Sequence, residues 1–224
     1  MNNIRKINPV LKILGSFLIM MYEISPFIFF PGILQENRAV FVIIIAILFI
    51  GADIFIRPVN EKSVKDKYET WKIYFFFVIS PLMLFLPYIE SIYISRLYQS
   101  SMLLNSLYFI GMLITILGGT LLILSRLIIG RYGTPKLTIQ KKHKLITRGP
   151  YKIVRNPLSS ADLLLYGGFA ISFGAWISFA VNIILLLVII IERIRMEELM
   201  LEETFKEEYF LWKSKTWRLI PYIW

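Results

Sequence analysis

The chain lacks the residues from which many soluble active sites are built. Among its 224 residues there is no cysteine and only one histidine, His143. Disulfides, thiolate nucleophiles and cysteine-ligated metals are therefore excluded, as is a zinc site built from several histidines. The sequence also contains no G-x-G turn and no P-loop motif, so it supports neither a Rossmann nucleotide site nor a P-loop ATP site.

Acidic residues are scarce as well. There are 15 Asp and Glu against 25 Lys and Arg, which gives a formal net charge of +10 and a pI near 9.7. Such a charge can indicate nucleic-acid binding, but here the basic residues flank apolar stretches, where membrane insertion and anionic headgroups account for them. We expect membrane lipids as partners and no nucleic acid.

Apolar sequence dominates the chain. Hydrophobic residues make up 57% and aromatic residues 15%, and the mean hydropathy is +0.65, more than a soluble domain of this size can bury. A helix needs about 20 apolar residues to cross a hydrocarbon layer of about 30 Å, and alternation typical of a barrel strand does not occur. The apolar stretches are 10–30, 39–56, 73–89, 102–129, 158–173 and 176–192.

These stretches predict an all-α polytopic membrane protein with about six crossings. Only Phe173, Gly174 and Ala175 separate the last two stretches, so they should form a C-terminal helical hairpin. Every second connection is rich in Lys and Arg, which predicts that both termini and the segment around His143 lie in the cytoplasm. No small-residue cleavage site follows the first stretch, so we interpret it as an uncleaved span.

The chain reads as one domain with two parts. Residues 1–100 are expected to form a transmembrane scaffold, and residues 101–224 a core that holds the chemistry. Within this core we expect a loop at 136–157 and a C-terminal helix at 176–210. Gly111, Gly118 and Gly119 in the fourth stretch should allow close packing of helices.

Two polar motifs interrupt the apolar sequence of the core. The first, H-x-L-x-x-x-G-x-Y-x-x-x-R-[HN]-P, runs from His143 to Pro157; the second, R-x-x-x-E-E followed by F-x-x-E-Y and R-x-x-P, runs from Arg193 to Pro221. In this order, on either side of a helical hairpin, the motifs resemble those of the isoprenylcysteine carboxyl methyltransferases and their relatives, the membrane phospholipid methyltransferases. The resemblance covers roughly residues 136–221.

The resemblance implies a methyltransferase that uses S-adenosylmethionine, bound at the membrane edge. Asn156 stands where many family members have histidine; an amide cannot carry a proton charge, which leaves it a positioning role. Glu197 is expected to contact the cofactor through the ribose hydroxyls. The cofactor-binding residues implied by the family are His143, Lys144, Leu145, Ile146, Tyr151, Asn156, Pro157, Leu158, Ser159 and Glu197.

The implied reaction is methyl transfer to the carboxylate of a prenylated cysteine or a similar lipid-borne acceptor at the cytoplasmic face. An α-carboxylate, with a reference pKa of about 3.5, needs no general base, and Arg155 and Arg193 would orient it. A phospholipid amine is the alternative acceptor, and Glu198 is then the candidate base. No metal is required for either reaction.

Other interpretations stay open at this point. A nicotinamide-dependent membrane reductase of the sterol-reductase type has a similar C-terminal layout, and Arg193 with Glu197 also fits a solvated, ion-paired helix end. A transporter is disfavoured because paired broken helices and repeats are missing. Glu23 is either a functional intramembrane carboxylate or the cap of a shorter first span, and Asp162 suits a charge contact at a helix start.

Overall fold

The computed structural model describes residues 9–28, 37–56, 71–95, 97, 100–133 and 143–223. These residues form helices and connecting turns without a β-strand, which confirms the all-α prediction. The helices are α1 (Pro9–Ile28), α2 (Asn37–Ile56), α3 (Trp71–Glu90), α4 (Ser101–Ile129), α5 (Pro157–Ser172), α6 (Trp176–Phe205) and α7 (Glu207–Lys213).

Within the described part of the chain, four helical segments are long and apolar enough to cross a membrane: Arg38–Ile56, Val78–Ser95, Ser101–Tyr132 and Trp176–Phe205. Their outer surfaces stay apolar, because Leu113, Ile184 and Val188 are each more than half exposed. An apolar exterior around an apolar core indicates a helix bundle that faces lipid. The polytopic architecture is thereby confirmed, whereas six crossings and the cytoplasmic orientation stay predictions.

The predicted hairpin of α5 and α6 is present. Gly174 has a φ of 63°, and its amide donates to the Ile171 carbonyl at 2.8 Å. At this turn Glu90 of α3 accepts hydrogen bonds from the amides of Ile177 (3.0 Å) and Ser178 (2.6 Å). A carboxylate therefore caps the N-terminus of α6, where the helix dipole favours negative charge.

Close packing of α4 against α5 depends on glycine. A Cβ at Gly111 would lie 2.2 Å from the amide nitrogen of Ser172, and one at Gly168 would lie 2.6 Å from the amide nitrogen of Thr115. Gly118 faces the backbone of α5 in the same way, and Gly119 faces the Phe49 ring of α2. The expected close approach of the fourth apolar stretch is confirmed.

The predicted C-terminal helix at 176–210 is wrong in its end point. Helix α6 stops at Phe205, because Lys206 adopts a φ of 46°, a left-handed conformation that ends the regular helix. The chain then turns into α7, which brings Tyr209 and Trp212 against Tyr151 of the loop that precedes α5. The break thus folds the end of the chain over the polar motifs.

Within the first apolar stretch the residues that the structure describes, Pro9–Ile28, form one continuous helix that includes Pro26. Glu23 lies inside this helix and is buried, so it does not cap a shortened span. Its hydrogen-bond partner is Ser80 of α3.

Candidate active site

A cleft opens where the loop 143–156 meets the ends of α4 and α6 and the start of α7. Its two sides come from the two polar motifs, which the sequence separates by the helical hairpin. The lining residues are Ile129, Tyr132, His143, Lys144, Leu145, Ile146, Tyr151, Arg155, Asn156, Glu197, Glu198, Met200, Leu201, Tyr209 and Trp212.

Most of the site residues predicted from the sequence line this cleft. Those brought together are His143, Lys144, Leu145, Ile146, Tyr151, Arg155, Asn156, Glu197 and Glu198.

Four predicted residues lie elsewhere. Pro157 is the first residue of α5 and is buried, Leu158 packs against the main hydrophobic core, and Ser159 follows on the same turn without lining the cleft. Arg193 lies one helical turn before Glu197; its Nε is 4.0 Å from the Glu197 carboxylate, and both side chains are roughly 30% exposed. Arg193 and Glu197 therefore form a loose ion pair within α6. The role of Arg193 in orienting the acceptor stays a prediction.

Arg155, Glu198 and Arg218 form one ionic network at the base of the cleft, in which Arg155 and Glu198 are buried and Arg218 is part-exposed. The Nε of Arg155 donates to Oε1 of Glu198 at 2.9 Å, and Nη2 of Arg218 lies 2.8 Å from Oε2. Arg155 also donates through Nη1 to the carbonyls of Lys213 (3.2 Å) and Thr216. The network ties the loop, α6 and the C-terminal segment together.

The C-terminal segment also holds the loop by backbone hydrogen bonds. The amide of Arg155 donates to the Trp217 carbonyl at 2.7 Å, and the Trp217 amide donates to the Ile153 carbonyl at 3.0 Å. The side-chain amide of Asn156 donates to the Arg218 carbonyl at 2.9 Å. Asn156 thus has the positioning role that its amide allows, because this bond fixes the loop where α5 begins.

His143 lies within an aromatic cluster. Its ring stacks on Tyr132 with centroids 4.4 Å apart, and the ring of Phe205 meets it edge-on at 5.7 Å. Burial, together with the nearby Arg131 cation, lowers the pKa of His143 to about 4. The imidazole is therefore neutral at physiological pH and presents an aromatic edge to the cleft.

Two buried tyrosines line the cleft with hydroxyl groups that have no hydrogen-bond partner among the described residues. Tyr151 is 5% exposed and Tyr209 is fully buried. Burial raises the pKa of both phenols, and the carboxylates of Glu197 and Glu198 respectively raise it further, so each hydroxyl keeps its proton. Since an unsatisfied buried hydroxyl costs about 1–3 kcal/mol, these groups mark positions where a ligand would form hydrogen bonds.

Sequence reasoning missed part of the lining. Tyr209 belongs to the F-x-x-E-Y motif, which was a usable signal, but no role was inferred for it. Ile129 ends α4 and Tyr132 lies in the short 3₁₀ turn that follows it, both before the first motif; Met200 and Trp212 lie between recognised positions. These four enter the cleft through tertiary packing, which no local pattern encodes.

Residues 106–208 match the family PEMT, described as phospholipid methyltransferase. The matched segment runs from the first turns of α4 to the start of α7, so it includes both motifs as far as Glu208. None of the curated proteins matches the chain. This family is broader than the isoprenylcysteine carboxyl methyltransferases, and placement of the chain in that narrower group stays a prediction.

Proposed function

We propose that the protein transfers a methyl group from S-adenosylmethionine to a lipid-borne acceptor at the membrane surface, on the predicted cytoplasmic side. The phospholipid methyltransferase domain at 106–208 supports methyl transfer within a membrane. The observation that carries the proposal is the meeting of both motifs in one cleft, where seven of the ten residues expected to bind the cofactor are lining residues.

The chemistry of the cleft fits this cofactor. Tyr151 and Tyr209 supply buried hydroxyls that need hydrogen-bond partners, and Glu197 supplies a part-exposed carboxylate able to accept from the two hydroxyls of a ribose. Tyr132 and the neutral His143 offer aromatic surface for a purine. When bound, the cofactor supplies an activated methyl group on a sulfonium sulfur, and the protein's task is alignment and exclusion of water.

The ionic network bears on the roles of Arg155 and Glu198. Both carboxylate oxygens of Glu198 already contact guanidinium groups, so neither is free to accept a proton from an acceptor. Arg155 is equally engaged by Glu198 and two backbone carbonyls. We therefore propose positioning roles for this pair and retain Arg193 as the candidate that contacts the acceptor.

The same contacts bear on the choice of acceptor. A prenylated cysteine carboxylate would need a guanidinium fork, and because Arg155 is engaged that role falls to Arg193. A phospholipid amine needs no such fork but needs a base, which Glu198 does not supply while it is paired; N-methylation is the second candidate, supported by the matched phospholipid methyltransferase family. Alkaline hydrolysis of lipid labelled with methyl-tritiated cofactor separates the two: a methyl ester releases volatile methanol, whereas a methylamine stays in the lipid fraction.

The first test is the choice of cofactor. S-adenosylhomocysteine at about 100 times its Kd should stabilise the folded protein by about 2.7 kcal/mol, read as a rise in Tm in detergent. Reduced nicotinamide phosphate should leave Tm unchanged, and the matched variant Glu197→Gln should lose most of the response. Stabilisation by the nicotinamide cofactor alone would contradict the proposal and favour a membrane reductase.

A further inference from the structure

A second cavity, which we call the distal cavity, lies at the end of the helix bundle opposite the cleft. The starts of α2 and α4 meet the end of α5 there, beside the residue that follows α3. Asn105 of this cavity and Ile129 of the cleft are 24 positions apart on α4, a rise of about 36 Å, so the two sites are separate. The lining residues are Arg38, Ala39, Val42, Ser91, Leu104, Asn105, Tyr108, Ser172 and Phe173.

Arg38 is the only charged residue among the described residues that line the distal cavity. It donates through Nη1 to Oδ1 of Asn105, and its guanidinium carbon lies 5.6 Å from the centre of the Tyr108 ring. Both contacts are to neutral groups, and no carboxylate of the described residues pairs with Arg38. The guanidinium is therefore positioned by α4 but not neutralised, which suits an anionic ligand.

The side chains beside Arg38 supply further hydrogen-bond donors. The side-chain NH₂ of Asn105 and the hydroxyl of Tyr108 donate to no acceptor among the described residues. The hydroxyls of Ser91 and Ser172 are already used, because each donates to a backbone carbonyl three residues earlier, at 2.7 and 2.6 Å. A guanidinium, an amide and a phenol that line one cavity without an acidic neighbour form a donor set for a phosphate group.

The helix surfaces next to the distal cavity are apolar and exposed. On α2, Phe41 follows Arg38 by three positions and is 52% exposed. On α4, Phe109 follows Asn105 by four positions and is 59% exposed. Each phenylalanine lies one turn further into its membrane span than the polar residue before it. Exposed apolar residues continue along both helices at Ile44, Leu48, Leu113 and Leu117. Donors at the end of two spans, with apolar surface along the spans, match the headgroup and acyl chains of a phospholipid.

We propose that the distal cavity binds the phosphate of an anionic glycerophospholipid, with Arg38, Asn105 and Tyr108 as donors and the acyl chains along α2 and α4. An anionic headgroup is favoured over a zwitterionic one, because the described lining residues include no carboxylate to pair with an ammonium. The predicted orientation places this lipid in the leaflet opposite the cleft, so it is not the methyl acceptor. Such a lipid would join α2 of the N-terminal scaffold to α4 of the core, and the inference does not depend on methyl transfer.

The test measures lipid retention by native mass spectrometry of the full chain in detergent. Phosphatidylglycerol is compared with diacylglycerol of the same acyl chains, which lacks the phosphate. Since a hydrogen bond to a charged group is lost, we expect about a tenfold preference for phosphatidylglycerol in the wild type, reduced to nearly equal retention in Arg38→Gln. Equal retention of both lipids by the wild type would overturn the inference, as would an unchanged preference in Arg38→Gln.

Arg195→Gln is the matched control, because Arg195 is an exposed arginine on α6 that lines neither the cleft nor the distal cavity. It removes the same charge and should keep the preference. Equal loss in Arg38→Gln and Arg195→Gln would show a general attraction of this basic protein for anionic lipid and would refute the site. Asn105→Ala is the second variant should Arg38→Gln not fold, since Asn105 is exposed. It should reduce the preference about threefold, and an unchanged preference would also refute the inference.

Two further arms identify the ligand. Phosphatidylcholine of the same acyl chains should be retained less than phosphatidylglycerol, and equal retention would overturn the assignment to an anionic headgroup. Displacement of phosphatidylglycerol by an equal concentration of free glycerol phosphate would assign the distal cavity to a soluble phosphate and overturn the lipid assignment. Binding of S-adenosylhomocysteine is measured on the same sample: its absence would refute the methyl-transfer proposal alone, and its presence without a lipid preference would refute this inference alone.

Discussion

Arg155 and Glu198 are ion-paired across the candidate site, with Nε 2.9 Å from Oε1 and side chains that are only 9% and 6% exposed. One belongs to the loop before the hairpin and the other to the helix after it. Both oxygens of Glu198 are used, since Arg218 binds the second. The pair therefore determines how the two motifs face each other across the cleft.

We predict that Glu198→Gln destabilises the protein by about 3–5 kcal/mol, because it leaves the buried guanidinium of Arg155 without its counter-charge and also breaks the contact to the part-exposed Arg218. Thermal unfolding in detergent measures this loss. The matched control is Glu202→Gln, which breaks the part-exposed contact to Lys213 at 3.6 Å and should cost less than about 1 kcal/mol. Equal effects of the two variants would contradict a structural role for the Arg155–Glu198 pair.

Tyr209→Phe should weaken the binding of S-adenosylhomocysteine by up to about tenfold without lowering stability. The hydroxyl has no partner among the described residues, so its removal costs no internal hydrogen bond. Isothermal titration and a Tm measurement on the same sample check both parts. Tyr22→Phe serves as control, because that hydroxyl donates to the Val78 carbonyl and Tyr22 does not line the cleft. Unchanged affinity in Tyr209→Phe would remove Tyr209 from the cofactor site.

Stability should decline as the pH falls from about 6.5 towards 4, because of His143. In the unfolded chain the imidazole protonates near its ordinary pKa of 6.5, whereas burial lowers the folded pKa to about 4. Between these values the unfolded state binds more protons, so stability rises with pH, by at most about 1.4 kcal/mol per unit, and is level above 6.5. His143→Phe, which preserves the stacked ring, should flatten this part of the Tm–pH curve. A curve of the same shape in the variant would contradict the assignment.

Glu197→Gln and Arg193→Ala should separate cofactor binding from turnover. Glu197 lines the cleft and is expected to hold the cofactor, so its variant should lose affinity for S-adenosylhomocysteine while staying folded. Arg193 does not line the cleft, and its variant should keep that affinity but lose transfer to lipid. Titration calorimetry and a tritiated-methyl assay give the two readouts. Full turnover by Arg193→Ala would mean that Arg193 does not contact the acceptor and serves in the ion pair with Glu197.

The extent of the helices could be predicted from sequence because a helix that crosses lipid must be apolar over the thickness of the hydrocarbon layer. Apolar length set the limits of α2, α4 and α5 to within a residue or two of the observed ends. The stop at Lys206 escaped this reasoning, since it depends on a left-handed residue within a sequence that otherwise favours helix. The hydrophobic pattern does not predict the backbone conformation of a single residue such as Lys206.

The candidate site was predictable where a motif keeps its residues close in sequence, as from His143 to Ile146. It was not predictable where tertiary packing decides. Tyr132 reaches the cleft only because a short 3₁₀ turn, Gly130–Tyr132, continues beyond α4, and Ser159 misses it because the helix beginning at Pro157 turns it away. Glu23 was noticed as a buried charge, but its pairing with Ser80 joins positions 57 apart in the chain.

The bond from the Arg155 amide to the Trp217 carbonyl has a consequence for biogenesis. During synthesis the chain emerges from its N-terminus, so the loop from His143 is made long before residues 216–219 are available to hold it. Until then the loop 143–156 lacks its backbone partners, and Arg155 lacks the Thr216 carbonyl. The candidate site would thus be assembled only after the helices that precede residues 216–219 have been synthesised.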